Sequence, residues 1–202
     1  MRPRKKKIEE KRLEAVSDLL IKDLSEFESY KDIELEIGCG KGNFITQLAL
    51  RNPDKNYVAV ERVKTVIITA LEKAKTLELT NVRFLNMNAE KLGEVENSHF
   101  CDRIYLNFSD PWPHKRHAKR RLSADSFALL YKKLLKDGGE IHMKTDNEQL
   151  FDFSVASFKQ NGFSLKNVTR DLYADVPSDN IMTEYEKAFV SQGLPIFRLE
   201  AF

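Results

Sequence analysis

The chain has 202 residues, with 33 Lys and Arg against 31 Asp and Glu, two cysteines and a net charge of +2. This length suits one domain with a full hydrophobic core, which needs no disulfide framework. No apolar run approaches the roughly 20 residues that cross a bilayer, and no apolar segment follows the N-terminal charges, so we expect a cytoplasmic protein without a signal peptide or membrane anchor.

The positive charge is concentrated in two short runs. Residues 1–12 hold seven Lys and Arg with two Glu, and residues 114–121 hold five Lys and Arg with no acid. Without these two runs, the chain has 21 basic and 29 acidic residues. Such segregation indicates a polyanionic partner, although the first run could also be a solubilising tail.

Apolar β-rich runs alternate with stretches of helical period, a pattern typical of a parallel sheet covered by helices on both faces. We predict a single domain that begins with a basic arm at about 1–12 and a helix at about 8–24. The predicted strands are Ile33–Ile37, Tyr57–Val60, Val82–Leu85, Arg103–Asn107, Glu140–Lys144, Leu165–Leu172 and Pro195–Leu199. The further predicted helices are Asn43–Leu50, Val63–Leu77, Ala124–Leu135, Glu148–Asn161 and Glu184–Ser191, with Asp137-Gly138-Gly139 stopping the third of these.

A glycine motif follows the first predicted strand, with Gly38, Gly40 and Gly42 in the spacing GxGxG. Glycine lets the backbone turn tightly and approach a ligand that a Cβ would exclude. The GxGxxG dinucleotide fingerprint is not completed, because Asn43 follows Gly42. Gly38 and Gly40 are therefore candidate contacts to a nucleotide-like cofactor, although a plain connecting loop would also use such glycines.

Acidic and amide side chains end the first three predicted strands. Glu61 lies about 20 residues after the glycines, where a carboxylate accepts both ribose hydroxyls, and Glu36 could receive the ammonium of an amino-acid moiety. The third strand ends in Asn86–Glu90, at the expected adenine edge. A dinucleotide would leave Glu36 without a partner, so the set favours S-adenosylmethionine over NAD.

The most distinctive segment joins Asp110-Pro111-Trp112-Pro113 to the cationic run His114–Arg121. A carboxylate can accept amino or imino protons of a nucleobase, and the prolines and indole offer a stiff apolar surface to a flat ring. The cations suit a phosphate backbone. A Pro-rich turn before a solvated basic helix is the alternative. His114 and His117 form an HxxH pair, but no acidic or cysteine residue lies beside it, so we expect no metal site.

The motifs LEIGCGKGNF, VAVER, NMNAE, YLNFSDPWPHKRHAKRRL, IHMKTDN and MTEYEKAF resemble the bacterial tRNA (guanine-N7)-methyltransferase family from about Asp32 to the C-terminus. The resemblance implies a class I methyltransferase (Rossmann-like) α/β fold, mostly parallel with an antiparallel C-terminal strand. It also implies methylation of the variable-loop guanosine at tRNA position 46, with S-adenosylmethionine as donor. By match of motif, Asp110 is the catalytic residue, and the cofactor contacts fall on Glu36, Glu61, Asn88 and Asp110.

The same resemblance places RNA contacts on Arg116 to Arg121. The candidate RNA-binding residues of the whole cationic run are His114, Lys115, Arg116, His117, Lys119, Arg120 and Arg121. At the substrate side it places Asp146, Thr183, Tyr185 and Glu186. Similar proteins usually carry Lys where this chain has His114. They also often carry a tryptophan near the N-terminal basic arm, which this chain lacks, so we assign no contact to that arm.

The residues of the chain suit methyl transfer to guanine N7. Guanine N7 carries an in-plane lone pair, so methyl transfer to it needs alignment more than a strong base, and no Pro-Cys nucleophile for C5-pyrimidine methylation is present. Asp110 and Asp146 could accept N1–H and N2–H of the guanine, although Asp146 could instead cap the helix after it. A methyltransferase for exocyclic amines of the N6-adenine type and a non-catalytic RNA-binding module remain as alternatives, and the sequence leaves monomer and homodimer open.

Overall fold

The computed structural model describes residues 3–178 and 180–202, and only the backbone of residues 3–6. Met1 and Arg2 of the predicted basic arm lie outside the described residues. The chain divides into two compact units, one up to Val95 and the other from Glu96 to Phe202. The prediction of a single domain stays a prediction. Within the described ranges, no helix is both long and apolar enough to span a bilayer.

The first unit contains three parallel strands in the order β3-β2-β1. The strands are β1 (Ile33–Ile37), β2 (Asn56–Val60) and β3 (Val82–Leu85), and the helices after the opening segment are α3 (Asn43–Arg51) and α4 (Lys64–Thr76). The register aligns the carboxyl ends, since Ile37 pairs with Val60 and Val60 with Leu85. These ends therefore present their following loops at one edge of the unit.

The opening segment differs from the single helix predicted at about 8–24. It forms α1 (Pro3–Glu14), a 3₁₀ turn at Ser17–Leu19 and α2 (Leu24–Ser29). The helical period fails at Leu20 and Ile21 because this stretch extends beside β3, where the Ile21 N–H donates to the Phe84 carbonyl at 2.9 Å. Tertiary pairing outweighs the local helical pattern here.

The second unit orders its strands β4-β5-β7-β6. The strands are β4 (Cys101–Asn107), β5 (Leu135–Thr145), β6 (Leu165–Thr169) and β7 (Phe197–Ala201), and the helices are α5 (Asp125–Leu134), α6 (Glu148–Gln160) and α7 (Glu184–Val190). β4 and β5 are parallel, whereas β7 runs antiparallel to both β5 and β6. The predicted antiparallel C-terminal strand is confirmed.

One predicted boundary in this unit is wrong. Asp137-Gly138-Gly139 does not stop α5, because α5 ends at Leu134 and β5 starts at once. Leu135 pairs with Cys101, and Gly138 has a φ of 76° in the irregular stretch before the regular pairing resumes at Glu140. Strand pairing begins before the glycines, so the glycines shape the strand rather than end the helix.

Candidate active site

The glycine loop of the first unit combines left-handed backbone with open space. Gly38, Gly40 and Gly42 have φ values of 80°, 56° and 75°. A Cβ built on Gly38 or Gly40 would meet nothing within 4 Å, whereas one on Gly42 would lie 2.6 Å from the Cβ of Ala70. The first two glycines thus leave room for a ligand, and the third lets α3 and α4 approach closely.

Hydrogen bonds fix this loop to the end of β2. The N–H groups of Gly38 and Cys39 donate to the Val60 carbonyl at 2.8 and 3.1 Å. The Glu61 carboxylate accepts from the Gly40 N–H at 3.2 Å and from the Val63 N–H at 2.8 Å. Each carboxylate oxygen has two lone pairs, so Glu61 retains acceptor capacity for a ribose while it holds the loop. This holding role was not predicted from the sequence.

The end of β3 is tied to the same place. Asn86 donates from Nδ2 to the Glu61 carbonyl at 2.8 Å. Asn88 caps the 3₁₀ helix Ala89–Glu94, accepting from the Glu90 N–H at 3.3 Å, and its side chain is exposed. The predicted adenine edge thus lies beside the predicted ribose acceptor.

The electrostatics of this edge are acidic. The Glu36 side chain is buried, with 2 % exposure. Burial raises the pKa of the Cys39 thiol well above its ordinary value, and the nearby charges of Glu36 and Glu61 raise it further. Cys39 therefore stays protonated and is a poor nucleophile, while the two carboxylates can attract a cationic ligand.

In the second unit, the segment after β4 adopts an unusual backbone. Phe108 and Trp112 have φ values of 51° and 43°, a region that residues with a side chain rarely adopt. The Phe108 N–H donates to the Lys144 carbonyl at 2.8 Å. The indole of Trp112 packs against the Arg120 guanidinium at 4.9 Å and against the edge of His117 at 5.7 Å. We call residues 110–112 the tip. Arg120 of the cationic run already covers one face of the Trp112 indole.

The cationic run forms a 3₁₀ helix over Lys115–Arg120 and is not uniform. Four cations and one imidazole are exposed, namely His114, Lys115, Arg116, Lys119 and Arg120. Arg121, by contrast, is buried, with 8 % exposure. Its Nε and Nη2 donate to the carbonyls of Pro111 and Trp112, both at 3.0 Å. The structure thus separates Arg121 from the exposed cations with which the sequence grouped it.

The residue that caps α6, after β5, is not the one that the sequence suggested. Asn147, not Asp146, caps α6, because the Asn147 side chain accepts from the Leu150 N–H at 2.8 Å. The capping alternative for Asp146 is therefore wrong. Asp146 is half-buried and forms no hydrogen bond or ion pair with any described residue.

Of the three predicted residues around α7, two are structural in this conformation. Thr183 and Glu186 form a capping box, and the fully buried Glu186 receives an ion pair from Lys144 Nζ at 2.6 Å and a hydrogen bond from Tyr173 Oη at 2.7 Å. Glu186 therefore has no surface open to a substrate. The signal in the sequence was the T-x-x-E spacing of a capping box.

Tyr185 lies on the open side of the same helix. The residue is 56 % exposed, and its ring lies 5.5 Å from the ring of Phe108 and 5.3 Å from the ring of Phe189. An exposed aromatic ring beside the segment that carries Asp110 can stack on a nucleobase. Within the second unit, α7 therefore places one predicted substrate residue beside Phe108, in the segment that leads to the tip, and uses two others to hold the helix.

Comparisons with known proteins identify the family of the chain. A family model described as "Putative methyltransferase" matches residues 31–199. The tRNA (guanine-N(7)-)-methyltransferase of Lysinibacillus sphaericus is 49% identical over 87% of this chain and 82% of its own length. The protein of the same name from Bacillus subtilis is 48% identical over 83% of this chain and 79% of its own length. The chain belongs to the tRNA (guanine-N7)-methyltransferase family.

Solved structures support the fold at much lower identity. An antibiotic-related methyltransferase matches with a TM-score of 0.63 at 16% identity, covering 89% of this chain and 92% of its own. An S-adenosylmethionine-dependent methyltransferase from Aquifex aeolicus matches with a TM-score of 0.59 at 17% identity, covering 100% of this chain and 98% of its own. The predicted class I methyltransferase fold is confirmed.

One further polar cluster of this family member lies on β5 and β7. Ligand atoms of Glu140, His142 and Glu200 lie within 4.8 Å of one another. However, Lys166 already forms an ion pair with Glu140 and Arg198 one with Glu200, while His142 hydrogen-bonds Glu140 at 2.8 Å. A divalent cation would have to displace these cations, so the cluster is better described as an ion-pair network.

Proposed function

We propose that this chain transfers the methyl group of S-adenosylmethionine to N7 of the variable-loop guanosine, position 46, of tRNA. The observation that carries the proposal is the presence of both an open glycine cradle with the buried Glu36 and the half-buried Glu61 in the first unit and an acid–aromatic tip with exposed cations in the second. Neither a bare RNA-binding module nor a small-molecule enzyme needs both features.

The first unit fits the cofactor. Gly38 and Gly40 have left-handed backbone, and the space that a Cβ would take at either glycine is open. This space would admit the amino-acid end of S-adenosylmethionine. The buried Glu36 would neutralise its ammonium, and Glu61 would accept the ribose hydroxyls. The exposed Asn88 would lie at the adenine. When bound, S-adenosylmethionine supplies an electrophilic methyl group on a sulfonium.

The second unit fits the acceptor. Asp110 is exposed at the tip, where a carboxylate can accept N1–H and N2–H of a guanine and stabilise the positive charge that the ring acquires on methylation. Asp146 and the exposed ring of Tyr185 are further candidates for holding the base. Because N7 brings its own lone pair, no side chain has to remove a proton before the new bond forms. The family's contact between Asp110 and the cofactor stays a prediction.

The exposed cations would bind the RNA backbone. Lys115, Arg116, Lys119 and Arg120 lie on a single 3₁₀ helix directly after the tip. Such a row suits phosphates, with His114 able to contribute a hydrogen bond. We place the activity in the cytoplasm, where the two free, buried cysteines would stay reduced.

The test uses an unmodified tRNA transcript and a second transcript with 7-deazaguanosine at position 46. This analogue replaces N7 by carbon and keeps the Watson–Crick edge and the exocyclic amine. We expect one methyl group on the guanosine of the first transcript, mapped by mass spectrometry of nuclease fragments, and none on the second. Methylation of the deaza transcript at the same site would indicate an exocyclic amine as acceptor. Binding of tRNA without cofactor binding or transfer would indicate a non-catalytic module.

A further inference from the structure

We propose that Arg121 is a positioning residue that holds the tip in its reactive conformation and is not a phosphate contact. The inference rests on the proposed function, because it assigns Arg121 a task within that site. It starts from the two hydrogen bonds at 3.0 Å that Nε and Nη2 donate to the successive carbonyls of Pro111 and Trp112.

The tip needs such a holder. Trp112 has a φ of 43°, and a non-glycine residue keeps this conformation only when its surroundings enforce it. The planar guanidinium presents parallel donors at a fixed spacing, so one side chain can fix two neighbouring carbonyls at once. Asp110 directly precedes Pro111, whose carbonyl Arg121 fixes, so the position of Asp110 depends on the same hydrogen bonds.

Arg121 is itself anchored to the core of the second unit. Its N–H donates to the Ala118 carbonyl at 3.1 Å, and its own carbonyl accepts from the Ala124 N–H at 2.9 Å. The next residue, Leu122, accepts at its carbonyl from the hydroxyl of the fully buried Tyr131 at 2.7 Å. Arg121 thus connects the tip to the buried core of the unit.

The guanidinium faces protein rather than solvent. It stacks over the ring of Phe153 on α6 at 4.4 Å, and the residue is only 8 % exposed. No described carboxylate forms an ion pair with it, so carbonyl oxygens and the aromatic ring stabilise its charge. A phosphate could reach Arg121 only after these contacts were broken.

Arg116 provides the matched comparison. It is the same residue type in the same run, but it is exposed and has no hydrogen bond or ion pair with the described residues. If a phosphate contact is what matters, Lys should replace Arg at low cost, since the charge is kept. If a two-pronged hydrogen bond matters, Lys should fail.

The experiment compares Arg121→Lys and Arg121→Ala with Arg116→Lys and Arg116→Ala in the full chain. Trp112 is the one tryptophan of the sequence, so acrylamide quenching of its fluorescence reports on the tip without RNA. The other readouts are the single-turnover rate at saturating tRNA and cofactor, and the salt dependence of tRNA binding.

For both Arg121 variants we expect stronger quenching and a rate at least about 10-fold lower, because a small misplacement of a reacting group is enough for such a loss. Their salt slope should stay that of the parent. Arg116→Ala should instead reduce the slope by about 0.7–0.9, with Arg116→Lys restoring it and both leaving Trp112 quenching unchanged.

The proposal is overturned if Arg121→Ala reduces the salt slope as Arg116→Ala does and Arg121→Lys restores it. It is also overturned if Arg121→Lys keeps the parental quenching and rate. If the Arg121 variants lose the circular dichroism of the folded chain, Phe153→Leu provides the test, because it removes the supporting ring but keeps the cation. Stronger quenching and a slower rate in Phe153→Leu support the proposal, and parental values refute it. A parent that methylates no tRNA would refute the proposed function, while the quenching comparison would still decide the role of Arg121.

Discussion

The glycine loop of the first unit and the tip of the second both depart from ordinary backbone conformations, but they are held differently. The loop uses glycine at each left-handed position, and neighbouring backbone and the Glu61 carboxylate complete it. The tip places Trp112 in left-handed backbone and depends on Arg121 to hold it. The loop conformation is therefore inherent in its residue types, whereas the tip conformation is imposed by side chains outside it.

The largest expected effect tests the side-chain support of the second unit. Glu186→Ala should lower the free energy of unfolding by about 3–5 kcal/mol, because it leaves the Lys144 ammonium buried without its carboxylate. Urea unfolding measures this loss. Glu184→Ala, on the exposed side of the same helix, is the control and should change stability by less than about 0.5 kcal/mol. Equal losses of unfolding free energy in the two variants would mean that the buried ion pair does not stabilise the fold.

Asp110 tests the chemistry at the tip. Asp110→Asn keeps the shape but removes the charge that would stabilise the methylated ring, so turnover should fall by about 10²–10³-fold with the fold intact. Single-turnover kinetics measure the change. Asp102→Asn, at the other end of β4 in an exposed ion pair with Lys136, should leave the rate unchanged. A parental rate for Asp110→Asn would remove Asp110 from the mechanism and leave Asp146 as the candidate.

Glu61 tests the loop. Glu61→Ala removes the predicted ribose acceptor together with the bonds to the N–H groups of Gly40 and Val63, so S-adenosylmethionine affinity should fall by about 1.5–3 kcal/mol. Calorimetry with the cofactor alone provides the value. Glu61→Gln keeps one acceptor oxygen and should lose less. Unchanged affinity in Glu61→Ala would contradict the ribose assignment.

The exposed cations should each contribute modestly. Single replacements of Arg116, Lys119 and Arg120 by Ala should weaken tRNA binding and reduce its salt slope by about 0.7–0.9 per lost phosphate contact. Cofactor affinity should stay that of the parent. If the three variants retained the parental slope, the run would be a solvated surface without an RNA contact.

The smallest effect concerns pH and the ion-pair network of the second unit. Burial lowers the pKa of His142 below its usual 6.5, and Arg103 adds to this effect, although hydrogen bonding to Glu140 and the charge of Glu200 oppose it. The unfolded chain therefore binds a proton that the folded chain resists, and stability should fall as the pH drops below about 6.5.

His142→Gln should flatten that fall, as measured by urea midpoints between pH 7 and pH 5. Glu140 cannot account for this window. Burial raises its pKa, but hydrogen bonds from Lys166 and His142 outweigh burial and lower the pKa from 4.5 to about 2, so its contribution is lost only at more acidic pH. An unchanged pH profile in His142→Gln would remove His142 as the cause.

The comparison also explains what the sequence could predict. The three strands of the first unit, the glycines and the acid at the end of β2 are local patterns, and the predicted strands match within one residue. The break in the opening helix depends on pairing with Phe84, far away in the sequence, and local periodicity could not predict it. The residue types alone also could not predict that the Glu61 carboxylate accepts hydrogen bonds from the loop backbone.

In the second unit, charge alone misled the prediction. A run of cations gives no sign that Arg121 turns back onto the tip, since this depends on the position of Phe153 on α6. The choice of Asn147 over Asp146 as helix cap is a difference of one residue, which sequence patterns rarely resolve. For Glu186, the capping-box spacing was available, but its pairing with Lys144 was not.

In the proposed function, the first unit binds the methyl donor and the second binds the RNA. Calorimetric titration of two variants, Glu61→Ala and Arg116→Ala, with each ligand separately tests this division of binding. We predict that Glu61→Ala loses affinity for S-adenosylmethionine and binds tRNA as the parent does, while Arg116→Ala shows the reverse. Loss of both affinities in either correctly folded variant, or a loss of the opposite ligand, would contradict this division.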